Sequence, residues 1–67
     1  MSEKRLWFTE ARNKKNLTQE KLAWSLGVST STIEKIESGK LDPGLNLAFL
    51  LADALEIDIR LFQKITA

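Results

Sequence analysis

Hydrogen-bonding side chains share one side of a short helical stretch near the middle of this 67-residue sequence. In Thr30 to Glu37, the apolar residues Ile33 and Ile36 are spaced three apart and therefore face the protein interior. Four polar side chains must then lie on or near the outer face: Thr30, Ser31, Glu34 and Lys35. Hydroxyl groups can donate or accept hydrogen bonds, and the lysine ammonium group can donate them. This face is therefore suited to contact another molecule.

The same sequence lacks the residue types that most catalytic and metal sites need. It contains no histidine and no cysteine, so it has no imidazole base, no disulfide and no thiolate ligand. A catalytic site would have to rest on carboxylates and lysines, and none converge in an identifiable motif. We therefore expect no enzyme activity, no metal, no cofactor and no small-molecule substrate.

Two short helices around a tight turn, Gln19 to Ser38, must position the polar face. Ala23 supplies the small side chain needed where two helices cross steeply, and Gly27 can adopt the left-handed conformation that reverses the chain. Thr18 and Ser29 are the expected N-caps of the two helices. The apolar residues point into the angle between the helices: Leu22, Leu26, Val28, Ile33 and Ile36. This layout predicts a helix-turn-helix.

Three further helices complete the predicted domain. The first is Glu3 to Lys15, with Phe8, Ala11 and Arg12 on its inner face, and the fourth is Leu45 to Glu56. Three apolar residues continue the core through a short fifth helix: Ile57, Ile59 and Phe62. We therefore predict one all-α domain over residues 1–67, with its helix-turn-helix at residues 18–38.

The stretch LTQEKLAWSLGVSTSTIEKIESGKLDP, Leu17 to Pro43, resembles the helix-turn-helix of the lambda-repressor-like family of DNA-binding regulators. This family is also called Cro-type or xenobiotic-response-element type. The resemblance extends over about residues 4 to 62, because LNLAFLLADALEIDIRLF is similar to the family's fourth and fifth helices. It implies a compact five-helix domain that binds double-stranded DNA.

The resemblance also implies roles for individual residues. The positions that match Thr30, Ser31 and Lys35 face base edges in the family, and the position that matches Gln19 contacts a DNA phosphate. Short hydroxyls can hydrogen-bond several bases, whereas lysine prefers the O6/N7 edge of guanine. This sequence lacks the glutamines found at some of these positions in the phage repressors, so their operators do not transfer to it.

Further polar residues near the predicted recognition helix are candidates for phosphate contacts. Gly39 should end that helix and leave Lys40 beside the groove face, while Lys15 and Asn16 belong to the turn before the second helix. Their clustering favours phosphate contacts. Each could equally be an ordinary surface residue.

Arg12 is unusual because it belongs to an otherwise apolar face, where an arginine needs a buried partner. The resemblance over about residues 4 to 62 suggests a partner. In the phage-repressor branch of the family, the arginine that matches Arg12 pairs with a glutamate at the end of the recognition helix, which here is Glu37. The alternative is that Arg12 extends its charged end to water from a helix edge.

The fourth predicted helix is more apolar than a monomer surface requires, because nine of its twelve residues are Leu, Ala or Phe. Leu47, Phe49 and Leu50 exceed what the core needs, and Leu61 and Ile65 have no assigned burial site. We expect a homodimer with four residues in its interface: Leu47, Leu50, Leu61 and Ile65. Isolated exposed leucines are also ordinary in monomers.

Trp24 is a second apolar residue without an assigned place. It falls on the outward side of the second helix, where a polar residue would be usual. It could pack on Trp7 or Leu6, or it could contact a partner. The sequence does not choose among these.

Charge is distributed unevenly along the chain, although the net charge is only +1. Residues 1–40 hold eight Lys or Arg against five Asp or Glu, and residues 41–67 hold two against four. The basic half contains the helix-turn-helix, as a nucleic-acid-binding protein requires. Neither a membrane-spanning run nor a signal peptide is evident, so we expect a cytoplasmic protein of bacterial or phage type.

These observations predict a sequence-specific transcriptional regulator, a repressor that binds a palindromic operator as a dimer. Two alternatives share the fold: an antitoxin, and the controller of a restriction-modification system. A third is a protein-interaction module without DNA binding, for which Trp24 and the leucines would be the contact.

Overall fold

The computed structural model describes residues 3–66, so that Met1, Ser2 and Ala67 of the predicted domain lie outside the described residues. It contains four α-helices: α1, Leu6–Lys14; α2, Gln19–Leu26; α3, Thr30–Glu37; and α4, Leu45–Leu55. A single 3₁₀ turn, Ile59–Leu61, stands where a fifth helix was expected. The all-α class is confirmed, and the count of five helices is corrected to four and a 3₁₀ turn.

The ends of α2 and α3 follow the sequence closely, because local side chains determine them. Thr18 and Ser29 have extended backbones, and their hydroxyl oxygens accept hydrogen bonds from the backbone N–H groups of Lys21 and Thr32. Gly27 has a φ of 71° and ends α2 in the left-handed region. The two predicted N-caps and the glycine turn are therefore confirmed.

The first and fourth helices are shorter than predicted. α1 begins at Leu6 rather than Glu3, because the N–H group of Arg5 is hydrogen-bonded to the carbonyl oxygen of Glu37 at 2.8 Å instead of joining a helix. α4 ends at Leu55, because Glu56 turns into the left-handed region with a φ of 53°.

The core lies between the four helices and is closed by the residue after the 3₁₀ turn, Phe62. Ten apolar residues form it: Phe8, Ala11, Leu22, Ala23, Ile33, Ile36, Ala48, Leu51, Leu55 and Phe62. Ala23 is 2% exposed, as the close crossing of α2 and α3 requires. The Trp7 ring packs edge-on against Phe62 with a centroid distance of 4.9 Å, and Trp24 is not part of this cluster.

Thr66 is hydrogen-bonded to the segment at the start of α4. Leu45 donates a backbone hydrogen bond to the carbonyl oxygen of Thr66, and Thr66 donates one to that of Pro43, at 3.0 Å each. Pro43 is fully buried beneath this contact. Among residues 3–66, no helix is long and apolar enough to cross a bilayer.

Gly39 and Gly27 provide a matched pair for a stability test. Both have positive φ, but a Cβ atom at Gly39 would overlap the carbonyl oxygen of Glu3, whereas a Cβ atom at Gly27 would meet nothing within 4 Å. Gly27→Ala should cost about 1–2 kcal/mol of unfolding free energy, the penalty of a left-handed L-residue. Gly39→Ala should cost distinctly more, because Glu3 must also move. Urea denaturation followed by circular dichroism measures both unfolding free energies. Equal losses for the two variants would contradict the predicted overlap between a Cβ atom at position 39 and Glu3.

Candidate nucleic-acid interface

The outer face of α3 presents the polar side chains that the sequence placed there. Ser31, Glu34 and Lys35 are exposed, and Thr30 is half-buried at the first position of the helix. In residues 3–66, none of these four side chains takes part in a hydrogen bond or ion pair within the chain. Their donors and acceptors are therefore available to a partner.

Gln19, the first residue of α2, lies next to this face. It is half-buried and shares a small depression of about 280 Å³ with Thr30 and Glu34. Thr18 and Glu20, which flank it in the chain, line the same depression. The structure thus brings the predicted phosphate-contacting residue beside the N-terminal end of the predicted recognition helix.

The turn after α3 places Lys40 at the other end of the helix. The N–H group of Lys40 donates to the carbonyl oxygen of Lys35 at 2.9 Å, and that of Gly39 donates to Ile36 at 3.1 Å. With Gly39 at a φ of 83°, these two bonds form a Schellman motif. The motif fixes the backbone from which the exposed Lys40 side chain projects.

Lys15 and Asn16 behave differently from each other. Asn16 is exposed in the turn before α2, with a φ of 56°. The ammonium group of Lys15 instead forms an ion pair with the carboxylate of Glu56 at the end of α4. Both partners of this pair are at the surface, so the phosphate contact of Lys15, like that of Asn16, stays a prediction.

A polar network inside the domain ties α3 to α1. Arg12 donates from Nε to Glu37 Oε1 at 2.9 Å and from Nη2 to Oε2 at 3.1 Å, so the pair is bidentate. Its third bond, from Nη1, goes to the carbonyl oxygen of Leu17 at 2.8 Å. The Thr9 hydroxyl donates to Glu37 Oε2 at 2.7 Å. The two charged side chains are only 13% and 5% exposed, and the alternative in which Arg12 reaches water does not describe this geometry.

The protonation of Glu37 follows from this network. Burial by itself raises the pKa of the Glu37 carboxyl, but hydrogen bonds from Arg12 and Thr9 and the charge of Arg12 outweigh it. The pKa of Glu37 therefore lies below its usual value. The carboxylate is ionised near neutral pH and keeps its full attraction for Arg12.

Arg5 forms a second tie at the same end of α3, and the sequence analysis did not find it. Its guanidinium donates to the carbonyl oxygen of Ile36 at 2.5 Å and of Leu41 at 3.0 Å, and to Asp42 Oδ1 at 2.6 Å. The same group lies 5.4 Å from the ring centre of Phe62. No spacing rule could have revealed this, because the partners are 31 to 37 residues away and two are backbone oxygens.

The apolar residues of α4 divide differently from the prediction. Leu47 and Ile65 are partly buried against the core of their own chain, so only part of each side chain is open to a partner. Leu50 is 49% and Leu61 43% exposed. Two residues outside the predicted set share the exposed side of α4: Leu45 and Phe49.

Trp24 is 87% exposed, so it packs on neither Trp7 nor Leu6. It borders an open, largely apolar groove of about 750 Å³ between α2 and the start of α3. Leu17, Ala23 and Val28 supply apolar walls to this groove, and Ser29 and Thr30 close it beside the recognition helix.

A small helical core, two steeply packed helices around a glycine turn, and a free polar face on the second of them define a helix-turn-helix domain. In this class the second helix enters the major groove of DNA. The family profile described as "Helix-turn-helix" matches residues 9–62. The chain therefore belongs to this helix-turn-helix family, and the resemblance read from Leu17 to Pro43 is confirmed.

Several relatives share the central part of the chain. An uncharacterized HTH-type transcriptional regulator of Methanocaldococcus jannaschii is 57% identical over 44 residues, which cover 66% of this chain and 67% of that protein. Two uncharacterized HTH-type transcriptional regulators of Archaeoglobus fulgidus are 49% and 46% identical over 43 residues, 64% of this chain and 61% of each relative. No solved structure matches the chain.

The buried pair can be tested by a double-mutant cycle. Arg12→Met should lower the unfolding free energy by about 3–5 kcal/mol, because the Glu37 carboxylate would stay buried without its cation. The double variant Arg12→Met/Glu37→Leu should lose much less, since neither charge remains. Urea denaturation gives all four corners of the cycle. Additive losses below about 1 kcal/mol, as expected of an exposed pair, would contradict a structural role.

Proposed function

We propose that this chain is a sequence-specific DNA-binding transcriptional regulator that inserts α3 into the major groove. Thr30 and Ser31 at the leading end and Lys35 one turn later meet base edges. The observation that carries this proposal is the set of free polar side chains on α3, with Gln19 beside them at the start of α2. The names of the archaeal relatives as transcriptional regulators support it. The helix-turn-helix family is not an enzyme class, and we propose no catalytic activity.

Phosphate contacts would fix the orientation of α3 in the groove. Gln19 offers a neutral donor at a helix N-terminus, where unpaired backbone N–H groups already favour an anion. Lys40 offers a cation at the opposite end of the recognition helix, and Asn16 a polar side chain in the turn before α2. Contacts at both ends of α3 would set the register of the protein on the duplex.

We propose that the biological unit is a homodimer formed by the exposed apolar side of α4. Three large apolar residues of this eleven-residue helix are exposed: Phe49 by 56%, Leu50 by 49% and Leu45 by 47%. Several large apolar side chains on one helix of a small domain mark an interaction surface, and a two-fold dimer is the commonest assembly. Two-fold symmetry would set two copies of α3 about 34 Å apart on a palindromic operator. We further propose that the dimer acts as a repressor when it occupies such a site.

The groove beside Trp24 favours a second candidate function, a protein-interaction module. An indole that is 87% exposed is a typical anchor of protein interfaces. The two functions differ in salt dependence, because phosphate contacts release counterions and apolar contacts do not.

A selection of bound sites from random DNA tests the proposed function. The chain should enrich a palindromic sequence, and its affinity for that site should fall steeply with added salt. Lys35→Ala should cost roughly 1–3 kcal/mol on the selected site and relax preference at one base pair of each half-site. No enrichment together with salt-independent binding to protein partners would favour the interaction module.

Substitution of Gln19 or Lys40 should weaken DNA binding in a different way from substitution of Lys35. Gln19→Ala should weaken binding about equally on all sequences and leave the salt slope nearly unchanged, because no cation is lost. Lys40→Ala should lower the slope by about one unit per half-site. Titrations of each variant at several salt concentrations, on the selected site and its single-base variants, separate these outcomes. A uniform loss for Lys35→Ala would instead make Lys35 a phosphate contact.

The dimer can be tested with a charge placed in the apolar face. Wild-type protein should sediment as a dimer at tens of micromolar, and Phe49→Glu should sediment as a monomer, because a carboxylate buried between two copies would lack a cation. Trp24→Glu is the matched control, since it makes the same change at an exposed aromatic residue on another helix. Its sedimentation should remain that of a dimer. A wild-type monomer, with and without DNA, would contradict the proposed assembly.

A further inference from the structure

Glu34 lies on the outer face of α3 together with Thr30, Ser31 and Lys35. Base contacts are proposed for those three residues, but no role has been assigned to Glu34. Successive residues of an α-helix are turned by about 100°, so Ser31 points away from the buried Ile33 and Ile36. Glu34 lies on one flank of Ser31 and Lys35 on the other. Glu34 is exposed and borders the same depression as Thr30 and Gln19. A carboxylate therefore stands among the side chains that would enter the groove.

No cation within the described chain neutralises this carboxylate. The ion pairs of residues 3–66 use other acids: Asp42, Glu37, Glu56 and Asp58. Near the phosphates of a bound duplex, an unpaired negative charge is repelled. Glu34 would therefore weaken binding to any DNA that did not offer it a compensating donor.

The major groove offers such a donor in a form that discriminates among bases. An ionised carboxylate can only accept hydrogen bonds. Guanine presents two acceptors, thymine an acceptor and a methyl group, and adenine an acceptor beside its amino donor. Cytosine presents only its N4 amino donor. Among the four base edges, cytosine is thus the one that a carboxylate can approach without facing an acceptor on the same base.

We propose that Glu34 accepts a hydrogen bond from the N4 amino group of a cytosine in each half-site and thereby selects a C·G pair. This inference rests on the proposed placement of α3 in the major groove. Lys35 donates to a guanine from the opposite flank. Glu34 and Lys35 are neighbours in the chain and project from the same turn of α3, so the two contacts belong to the same half-site.

The test replaces the carboxylate by an amide of the same shape. Glutamine pairs with the N6/N7 edge of adenine, so Glu34→Gln should switch the preferred base at one position of each half-site from cytosine to adenine. Affinity for the wild-type site should fall by about tenfold relative to the adenine-substituted site. Glu34→Ala should lose the preference at that position without acquiring a new one. Titrations against the selected site and its single-base variants measure all three proteins.

Glu20→Gln is the matched control, because it removes one exposed carboxylate from the first turn of α2 and leaves α3 unchanged. It should raise affinity on all sequences equally through reduced repulsion. If Glu34→Gln does the same, with no change in base preference, the proposal is overturned and Glu34 is only a repulsive charge. If wild-type protein shows no base preference anywhere, the proposed function fails as well, and the inference with it. Circular dichroism checks that each variant keeps its helix content.

Discussion

The rest of the structure depends on the ion pair between Arg12 and Glu37. α3 has eight residues, which is too few for a stable helix in isolation, so its geometry must come from contacts elsewhere. Apolar packing of Ile33 and Ile36 fixes which side faces inward, but packing alone tolerates small rotations and shifts. The bidentate pair sets a direction as well as a distance. Arg5 adds a second tie to the carbonyl of Ile36, so the C-terminal end of α3 is held by two guanidinium groups, one from the N-cap of α1 and one from its last turn.

Residues in the left-handed conformation end the helices and turn the chain sharply between them. The positive-φ residues among positions 3–66 are Asn16, Gly27, Gly39 and Glu56, and each follows one of the four α-helices. In every case the next residue donates a backbone hydrogen bond to a carbonyl five positions earlier. This repeated Schellman geometry satisfies carbonyl groups that a helix end leaves free. It lets four helices pack around one core with short connections.

Sequence reasoning succeeded where a local side chain decides the structure, and failed where a distant partner does. Thr18, Ser29 and Gly27 act within four residues of themselves, so α2 and α3 were predicted to the residue. Arg5 acts across more than thirty residues, so the late start of α1 could not be foreseen. The surplus of apolar residues in α4 was evident, but a count does not show which residues the chain itself covers. Leu47 and Ile65 are partly covered by their own chain, which the count could not show. The outer face of α3 was predicted because Ile33 and Ile36 fix its inward side.

Within residues 3–66, the side chains that face outward from α3 make no hydrogen bond or ion pair to the rest of the domain, and this has an evolutionary consequence. The groups that hold α3 are Glu37 at its end, its two isoleucines and the capping Ser29. The four outward positions, Thr30, Ser31, Glu34 and Lys35, contribute to none of these. Substitutions there break none of these contacts, so descendants of a duplicated gene can diverge in what they recognise while keeping the groups that hold α3 in place.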